Sequence, residues 1–461
     1  MVSKIEKNVS NIIENSESKL STKLFYCFNW VSDVQPVFVL ESQEPKQMEN
    51  QISNIKFFNA TPEHIDNAIK VAAEAFGVYN ISKELYENRF KSDMNCRHSQ
   101  LRVGVMDSTV VATIRLYWRT FCVGKASIPM VIIGEVAVAK AQQGSGIGHS
   151  LMRNTIEYLK GQGVLLAWLG GRPSFYNQFG FSLVTESRLM IDVKSALTFN
   201  DISQKALNTS PEDLIKDNQW CNLWDKFCEG CYSRFHRTHG FATWLLQDRN
   251  IGFANGTTSI SLYENQQLIG YILAQQLGKN IFIHELAWKT GNVDSVGFLL
   301  KSVAKKFIDC EDIILGGPKR PDLRKWLASN KIKWRYEELT SFPMSLILDV
   351  CGLLKALYPN WQTTITEIEN PKPLAMIDPK GSAVLIEWQS GEIKILPIFE
   401  LPRNVIILNI DQGQLIKLLL GFCSAEDLSL GARLGLSQVD SDFLMAVFPN
   451  SSGFLGDLER A

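Results

Sequence analysis

Polar residues dominate the first fifty or so positions, where Asn, Ser, Glu and Lys surround two short apolar islands, Leu24 to Trp30 and Val37 to Leu40. Such a stretch buries too little apolar surface to offset the entropy of ordering it, so residues 1–54 read as a partly disordered N-terminal extension. A regular pattern starts at Ile55. Ile55 to Phe58 has strand character, and Thr61 can cap a helix with Pro62 and Glu63 in its first turn and Ala68, Val71, Ala72 and Ala75 on one face. Two β-rich runs, Leu101 to Val105 and Val110 to Trp118, flank Met106-Asp107-Ser108-Thr109 as the arms of a hairpin. A strand over Val131 to Val138 precedes a glycine-rich stretch and a helical pattern through Leu151, Ile156 and Leu159. Strand Leu165 to Leu169 then ends in the turn Gly170-Gly171-Arg172-Pro173.

That order of elements returns further on. A hairpin of Ser259 to Tyr263 and Leu268 to Ala274 around Glu264-Asn265-Gln266-Gln267 leads to a strand, Ile281 to Trp288, and a helix, Val293 to Phe307. After residue 348 the pattern changes to a helix (Val350 to Leu357), strands at Ala383 to Trp388, Glu392 to Ile398 and Val405 to Ile410, and a helix from Gln412 to Leu420. The expected fold class is α/β (α+β): related units over 55–197 and 198–348, and a third, α+β domain over 349–461.

Composition narrows the class. A chain of 461 residues has ample length for sizeable cores in about three domains. Its 47 Lys and Arg against 48 Asp and Glu, with 45% hydrophobic residues, exclude a disordered, collagen-like or polynucleotide-coating protein, and no nucleic-acid partner is expected. No run approaches the roughly 20 consecutive apolar residues that cross a bilayer, and the first residues lead into polar sequence. A soluble, cytoplasmic protein with no membrane partner is expected. Nine cysteines, an odd count spread from Cys27 to Cys423, fit reduced intracellular thiols and not a disulfide scaffold.

The stretch richest in chemistry runs from Gly134-Glu135-Val136-Ala137-Val138 to Gln143-Gly144-Ser145-Gly146-Ile147-Gly148. A strand entering closely spaced glycines and then a helix presents free backbone N–H groups at a helix N-terminus, a ready site for a pyrophosphate. A Walker loop would need Gly-Lys-Ser/Thr, and a dinucleotide fingerprint an acidic residue after a second strand; neither fits. The pattern resembles the acetyl-CoA-binding motif Gln/Arg-x-x-Gly-x-Gly/Ala of the GNAT superfamily of N-acetyltransferases. The resemblance implies that the backbone of Val136, Ala137 and Val138 holds the pantetheine arm, and that Gln143, Gly144, Ser145, Gly146, Ile147 and Gly148 hold the pyrophosphate. Phe175-Tyr176-Asn177-Gln178-Phe179-Gly180-Phe181 is similar to that family's Phe-Tyr-x-x-x-Gly-Phe segment. It implies a place for the Tyr176 hydroxyl beside the thioester sulfur, as general acid.

Acetyl transfer requires a neutral amine, and an alkylammonium with a pKa near 10.4 must first lose a proton. Glu135 lies on the cofactor strand, where some family members carry a base, and it reads equally as an outward surface acid because strand side chains alternate. The whole layout resembles the enhanced intracellular survival (Eis) type: a GNAT domain, a second degenerate GNAT-like domain, and a C-terminal domain of sterol-carrier-protein type. Tyr232-Ser233-Arg234 with Gly240 and Trp244, the lone glycine of Lys289-Thr290-Gly291-Asn292-Val293-Asp294, and the run from Leu408 to Phe448 carry that resemblance. It implies no cofactor in the second unit, a homo-oligomer that can be a hexamer, and the terminal carboxylate, here that of Ala461, as a candidate base. The ending Asp457-Leu458-Glu459-Arg460-Ala461 lacks the aromatic terminus of that type.

Cys221, Cys228, Cys231, His236 and His239 have some of the spacing of a zinc site. The recurrence of Trp220, Leu223, Trp224, Phe227, Cys231 and Phe235 at three- and four-residue steps reads instead as an apolar helix face, and no metal is expected. His149 is expected to face solvent or the phosphates. Glu84, Glu87 and Asp93 suit either a cationic acceptor or a solvated helix face. The implied activity is acetyl-CoA-dependent transfer to an amine on a small molecule or peptide: an aminoglycoside, a polyamine or a protein lysine. The alternative is a hydrophobic-ligand or lipid carrier built on the C-terminal domain.

Overall fold

The computed structural model describes residues 54–76, 87, 100–184, 187–199, 206–229, 233–237, 257–316, 321–338, 343–362, 368, 371–377, 383–389 and 392–449. The chain opens with β1 (Lys56–Asn59) and α1 (Pro62–Phe76), followed by β2 (Leu101–Met106), β3 (Thr109–Val123) and β4 (Ala126–Val138). Asp107 and Ser108 both take positive φ, the two-residue hairpin turn whose twist matches that of the flanking strands. Helix α2 (Ile147–Gly161), β5 (Leu166–Leu169), the single-turn α3 (Pro173–Tyr176) and β6 (Ser182–Leu183) complete this stretch. Leu151, Met152, Thr155, Ile156 and Leu159 of α2 are buried, the three- and four-residue spacing that lays one helix face on a sheet.

The next stretch holds β7 (Ser187–Asp192), α4 (Val193–Leu197), β8 (Ala206–Thr209), α5 (Pro211–Lys216), α6 (Asn218–Phe227) and β9 (Ser233–Phe235). It continues through β10 (Thr257–Glu264), β11 (Gln267–Leu277), β12 (Asn280–Trp288), α7 (Asp294–Lys306), β13 (Asp312–Leu315), α8 (Pro321–Ser329), β14 (Trp334–Glu338) and β15 (Met344–Ile347). Asn265 and Gln266 repeat the positive-φ hairpin turn between β10 and β11. The last stretch holds α9 (Val350–Trp361), β16 (Leu374–Ile377), β17 (Ala383–Gln389), β18 (Glu392–Ile398), β19 (Ile406–Asn409), α10 (Gln412–Leu419), α11 (Leu430–Arg433) and α12 (Gln438–Val447).

Three sheets result, and they do not follow chain order. The first runs β1-β2-β3-β4-β5-β15-β6 with β9 on β3; the second runs β14-β7-β13-β12-β11-β10-β8; the third runs β18-β17-β16-β19. Strand β7 precedes the second hairpin by more than sixty residues yet lies inside the second sheet, while β15 returns to the first sheet between β5 and β6. No single cut of the chain separates the first two sheets.

The far arm of the β3–β4 hairpin shares a core with the last stretch: Tyr117, Phe121, Ile128 and Met130 pack in one cluster with Leu353, Leu357, Trp361 and the inner face of the third sheet. Asn360 of α9 pins the hairpin tip, accepting from the Lys125 N–H at 2.6 Å and donating to the Val123 carbonyl at 2.8 Å. Among the described residues, no helix is long and apolar enough to cross a membrane.

Candidate active site

The site grows out of one irregularity in β4. Strands β4 and β5 pair in parallel from Met130↔Leu166 to Ile133↔Leu169, where β5 ends while β4 continues to Val138. On the other edge, Thr113 pairs with Ala137 and Arg115 with Gly134, so β4 carries one extra residue in a bulge. Glu135 sits in that bulge at φ 41°, a left-handed conformation that side-chain-bearing residues adopt at some cost. From Gly134 to Val138 no described strand pairs with the β5-facing edge of β4. Val136 and Val138 are half-buried along this edge, whereas Ala137 is buried in a cluster with Ala68, Ile69 and Ala72 of α1 and Leu101 and Val103 of β2. Beyond the end of β5 this edge of β4 has no described partner strand, an arrangement that suits an extended chain with amide groups.

Beyond Val138 the backbone turns sharply. The Gln143 side chain folds back, its Nε2 donating to the Val138 carbonyl at 3.0 Å, and the Ser145 hydroxyl donates to the Gln142 carbonyl at 2.6 Å. Gly144 and Gly146 take φ of 83° and 81°, and Gly146 is the N-cap residue of α2 with no side-chain cap. Both positions need a residue without Cβ because the left-handed conformation strains any other. The first intrahelical bond runs from the Ser150 N–H to the Gly146 carbonyl, so the amides of Ile147, Gly148 and His149 have no acceptor within the helix. With no acidic residue in the first turn, this helix end attracts an anion.

Tyr176 closes α3, where Pro173 occupies the first turn. Its ring packs edge-on against Phe175 and Phe181, at centroid distances of 4.9 and 6.1 Å, and a Cβ at Gly171 would collide with it. Burial pushes the phenol up to about 12. His149 of α2 stacks edge-on against Phe175 at 5.0 Å and tilts against Phe179 at 5.6 Å. His149, expected to face solvent or the phosphates, is half-buried in the first turn of α2 and ties the aromatic segment to it. Two motifs some thirty residues apart are thereby joined.

Glu135 is half-buried, and the Tyr117 phenol lies 2.7 and 2.9 Å from its two carboxylate oxygens. Its carboxylate therefore does not project freely into solvent. A cavity of about 20 Å³, room for one water-sized group, lies beside it, lined by Ala68, Ile69, Ala72, Leu101, Thr113, Arg115 and Glu135. Thr113, Arg115 and Tyr117 were not singled out in the sequence. Their signal was a polar row at every second position of an otherwise apolar strand, continued by Arg119.

Other expectations fall elsewhere. Ala461, Glu84, Asp93, Tyr232, Cys231, His239, Gly240 and Trp244 lie outside the described residues, and of the acidic trio only Glu87 is described, as half-buried. Ser233 and Arg234 form part of β9, paired with Val123 and Cys122 of β3. Cys228 is buried in the core of the second sheet and Cys221 packs against it. Among the described residues, no three His, Cys, Asp or Glu side chains gather as metal ligands would.

In the second sheet the pairing of β12 with β13 likewise ends with β13, at Ile283↔Leu315, and Glu285 follows the last pair by two residues, as Glu135 does in β4. There the resemblance stops. Glu285 is 2% exposed, ion-paired with Arg237, and bonded by Trp220 Nε1 at 2.9 Å and the Tyr271 phenol. Asp294 occupies the first turn of α7 and accepts from Trp326 Nε1 at 2.7 Å. A negative group there opposes any phosphate.

Residues 56–184 match the family model of the acetyltransferase (GNAT) domain. The chain carries a GNAT N-acetyltransferase domain. It spans the bulged strand, the glycine turn and Tyr176 described above. No curated protein matches the chain. Among solved structures, a GCN5-related N-acetyltransferase from Anabaena variabilis superposes with a TM-score of 0.64 at 15% identity, over 87% of this chain and 99% of that one. A GCN5-related N-acetyltransferase from Kribbella flavida gives 0.58 at 15% identity, over 88% and 98%. Eis1 from Mycobacterium abscessus gives 0.59 at 14% identity, over 87% and 98%. These likenesses extend the shared mixed α/β fold well beyond the acetyltransferase domain, to nearly the full length of the described chain.

Proposed function

We propose that this chain transfers an acetyl group from acetyl-CoA to a primary amine by direct attack on the thioester. The observation that carries the reading is the junction made by His149: through Phe175 it joins Tyr176 to the start of α2, whose first amides have no acceptor in the helix, beside the stretch of β4 that runs on past the end of β5. When bound, acetyl-CoA supplies the activated acyl group. The amides of Ile147, Gly148 and His149 hold the pyrophosphate, with Gly144, Ser145 and Gly146 shaping the turn and Gln143 bracing it against β4. The edge of β4 at Val136 and Val138 holds the pantetheine amides.

Tyr176 keeps its proton until it is needed, because burial disfavours the phenolate. It donates to the departing sulfur. Glu135, directly or through a water in the neighbouring cavity, takes the proton from the incoming ammonium. The terminal carboxylate of Ala461 is the second candidate for that task. The full-length layout, with its second and third sheets, supports an Eis-type organisation in which the second unit holds no cofactor, the third resembles a sterol-carrier domain, and the chain assembles as a homo-oligomer.

The test is thiol release from acetyl-CoA across a panel of aminoglycosides, polyamines and lysine peptides, with the acetylated products identified by mass spectrometry. Steady turnover with an N-acetylated product supports the reading. Absence of turnover with every amine in the presence of bound acetyl-CoA overturns it.

A further inference from the structure

The segment that carries Tyr176 is held from behind by the last stretch of the chain. After Tyr176 and the turn Asn177–Phe179, Gly180 takes φ 92° and reverses the backbone into β6, where Ser182 pairs with Ser345 of β15. The first turn of α10 sits against this reversal. Gln412 Nε2 donates to the Ile347 carbonyl at the end of β15 at 3.3 Å, and a Cβ at Gly180 would stand 3.3 Å from both Gln412 Oε1 and Leu346 Cδ1. Its neighbour Gly413 is buried and lets the helix close on β6, because a Cβ there would stand 3.0 Å from the Cβ of Ser182. The Asp411 carboxylate, 3.1 Å from the same point, is exposed and can turn aside. Between Gly180 and Ser182 stands Phe181, 1% exposed, whose ring meets that of Tyr176 edge-on at 6.1 Å. On another side of Tyr176, the Gly171 backbone leaves no room for even a Cβ. A close-packed ring bounded in this way moves when its neighbour moves.

We propose that Gln412 and Gly413 are positioning residues for Tyr176: through Gly180, Phe181 and β6, the first turn of α10 sets where the phenol stands relative to the start of α2. The inference rests on the proposed acetyl transfer, in which Tyr176 protonates the departing sulfur. It gives the last stretch of the chain, which lies outside residues 56–184, a part in the reaction that needs no contact with acetyl-CoA. The amides of α2 and the edge of β4 belong to other elements, so the effect falls on the rate and not on cofactor binding. A proton donor must stand within hydrogen-bonding reach of the sulfur, and a misplacement of about 1 Å can cost about 100-fold in rate.

Gly413→Ala places a methyl group against Ser182, and Ser182→Gly in the same chain removes what that methyl meets. Gly413→Ala should lower kcat about tenfold and leave the Kd for acetyl-CoA within about twofold, and the added Ser182→Gly should restore most of the rate. The position of the ring is read without turnover in the full chain carrying 3-fluorotyrosine, with the Tyr176 19F resonance identified by its disappearance in Tyr176→Phe. That resonance should shift in Gly413→Ala and in Gln412→Ala and return in the Gly413→Ala/Ser182→Gly double variant. Leu418→Ala, which truncates the buried face further along α10, should lower Tm and leave the resonance in place. An unmoved resonance in folded Gly413→Ala and Gln412→Ala overturns the proposal, and so does an equal shift in Leu418→Ala, the mark of a general loosening of the helix. If Gly413→Ala does not fold, Gln412→Ala, which only removes atoms, decides by the same resonance. Failure of the amine panel, or full turnover by Tyr176→Phe, would remove the proposed reaction or the acid role of Tyr176, and the resonance would still decide what holds the ring.

Discussion

Tyr176 owes its proton-holding to burial among its neighbours and not to a nearby charge. The sign is simple. The acid-competent form is lost only as pH rises through about 12, so this phenol should produce no alkaline fall in kcat below about pH 11. Tyr176→Phe keeps the ring against Phe175 and Phe181 and removes only the proton. Turnover should fall about 100-fold or more while acetyl-CoA affinity stays within about twofold, measured by steady-state kinetics and titration calorimetry. Unchanged turnover would take Tyr176 out of the mechanism. Tyr176 was legible in the sequence because its motif is contiguous. Tyr117 was not: its partner Glu135 lies 18 residues away across a bulge, and period-two alternation says which face a residue occupies without saying where an extra residue shifts the register.

The glycine turn into α2 makes a claim at the level of an element, because its job is done by backbone amides. A Cβ at Gly144 meets nothing within 4 Å, so packing alone would tolerate alanine; its φ of 83° would not. Gly144→Ala should cost about 1–2 kcal/mol at this turn and weaken acetyl-CoA binding about tenfold by calorimetry. Gly161, at the other end of α2, also meets nothing within 4 Å and has no positive φ. Gly161→Ala should raise stability by about 0.5–1 kcal/mol and leave binding alone. Equal affinities for both variants would mean that the turn holds no phosphate. The longer strands and helices were readable in the same local terms. The hairpin turns at Asp107-Ser108 and Asn265-Gln266 and the faces of α1 and α2 follow from turn chemistry and periodicity. The exception is instructive: the turn at Gly124-Lys125 interrupts a run rich in β-formers, so β3 and β4 each extend well beyond the expected Val110 to Trp118 and Val131 to Val138. Strands β6 to β9 and β13 to β16 were not read from the sequence; in β16, for one, four apolar residues are too few to show a period.

Pairings between distant strands belong to the molecule as a whole, and these no local pattern reveals. Strand β15 lies more than 150 residues after β5, yet Met344 pairs with both Leu169 and Leu183, and the Ser345 hydroxyl donates to the Ala167 carbonyl at 3.1 Å. Met344, Leu346 and Ile347 are buried. Removing three such side chains from water contributes about 5–8 kcal/mol, comparable with the whole stability of an ordinary domain. The consequence is that the acetyltransferase domain, although its family match spans only 56–184, depends on a strand from far outside that range. A fragment of residues 55–184 should lack a cooperative thermal transition and aggregate through the exposed edge of β5. The same fragment extended by a flexible linker and residues 343–349 should recover a sigmoidal melt by circular dichroism and a monodisperse peak on size exclusion. If the bare fragment melts as sharply as the extended one, β15 is an ornament of the first sheet, and the coupling between the acetyl-transfer site and the rest of the chain must run through the β3–β4 hairpin and Asn360 instead.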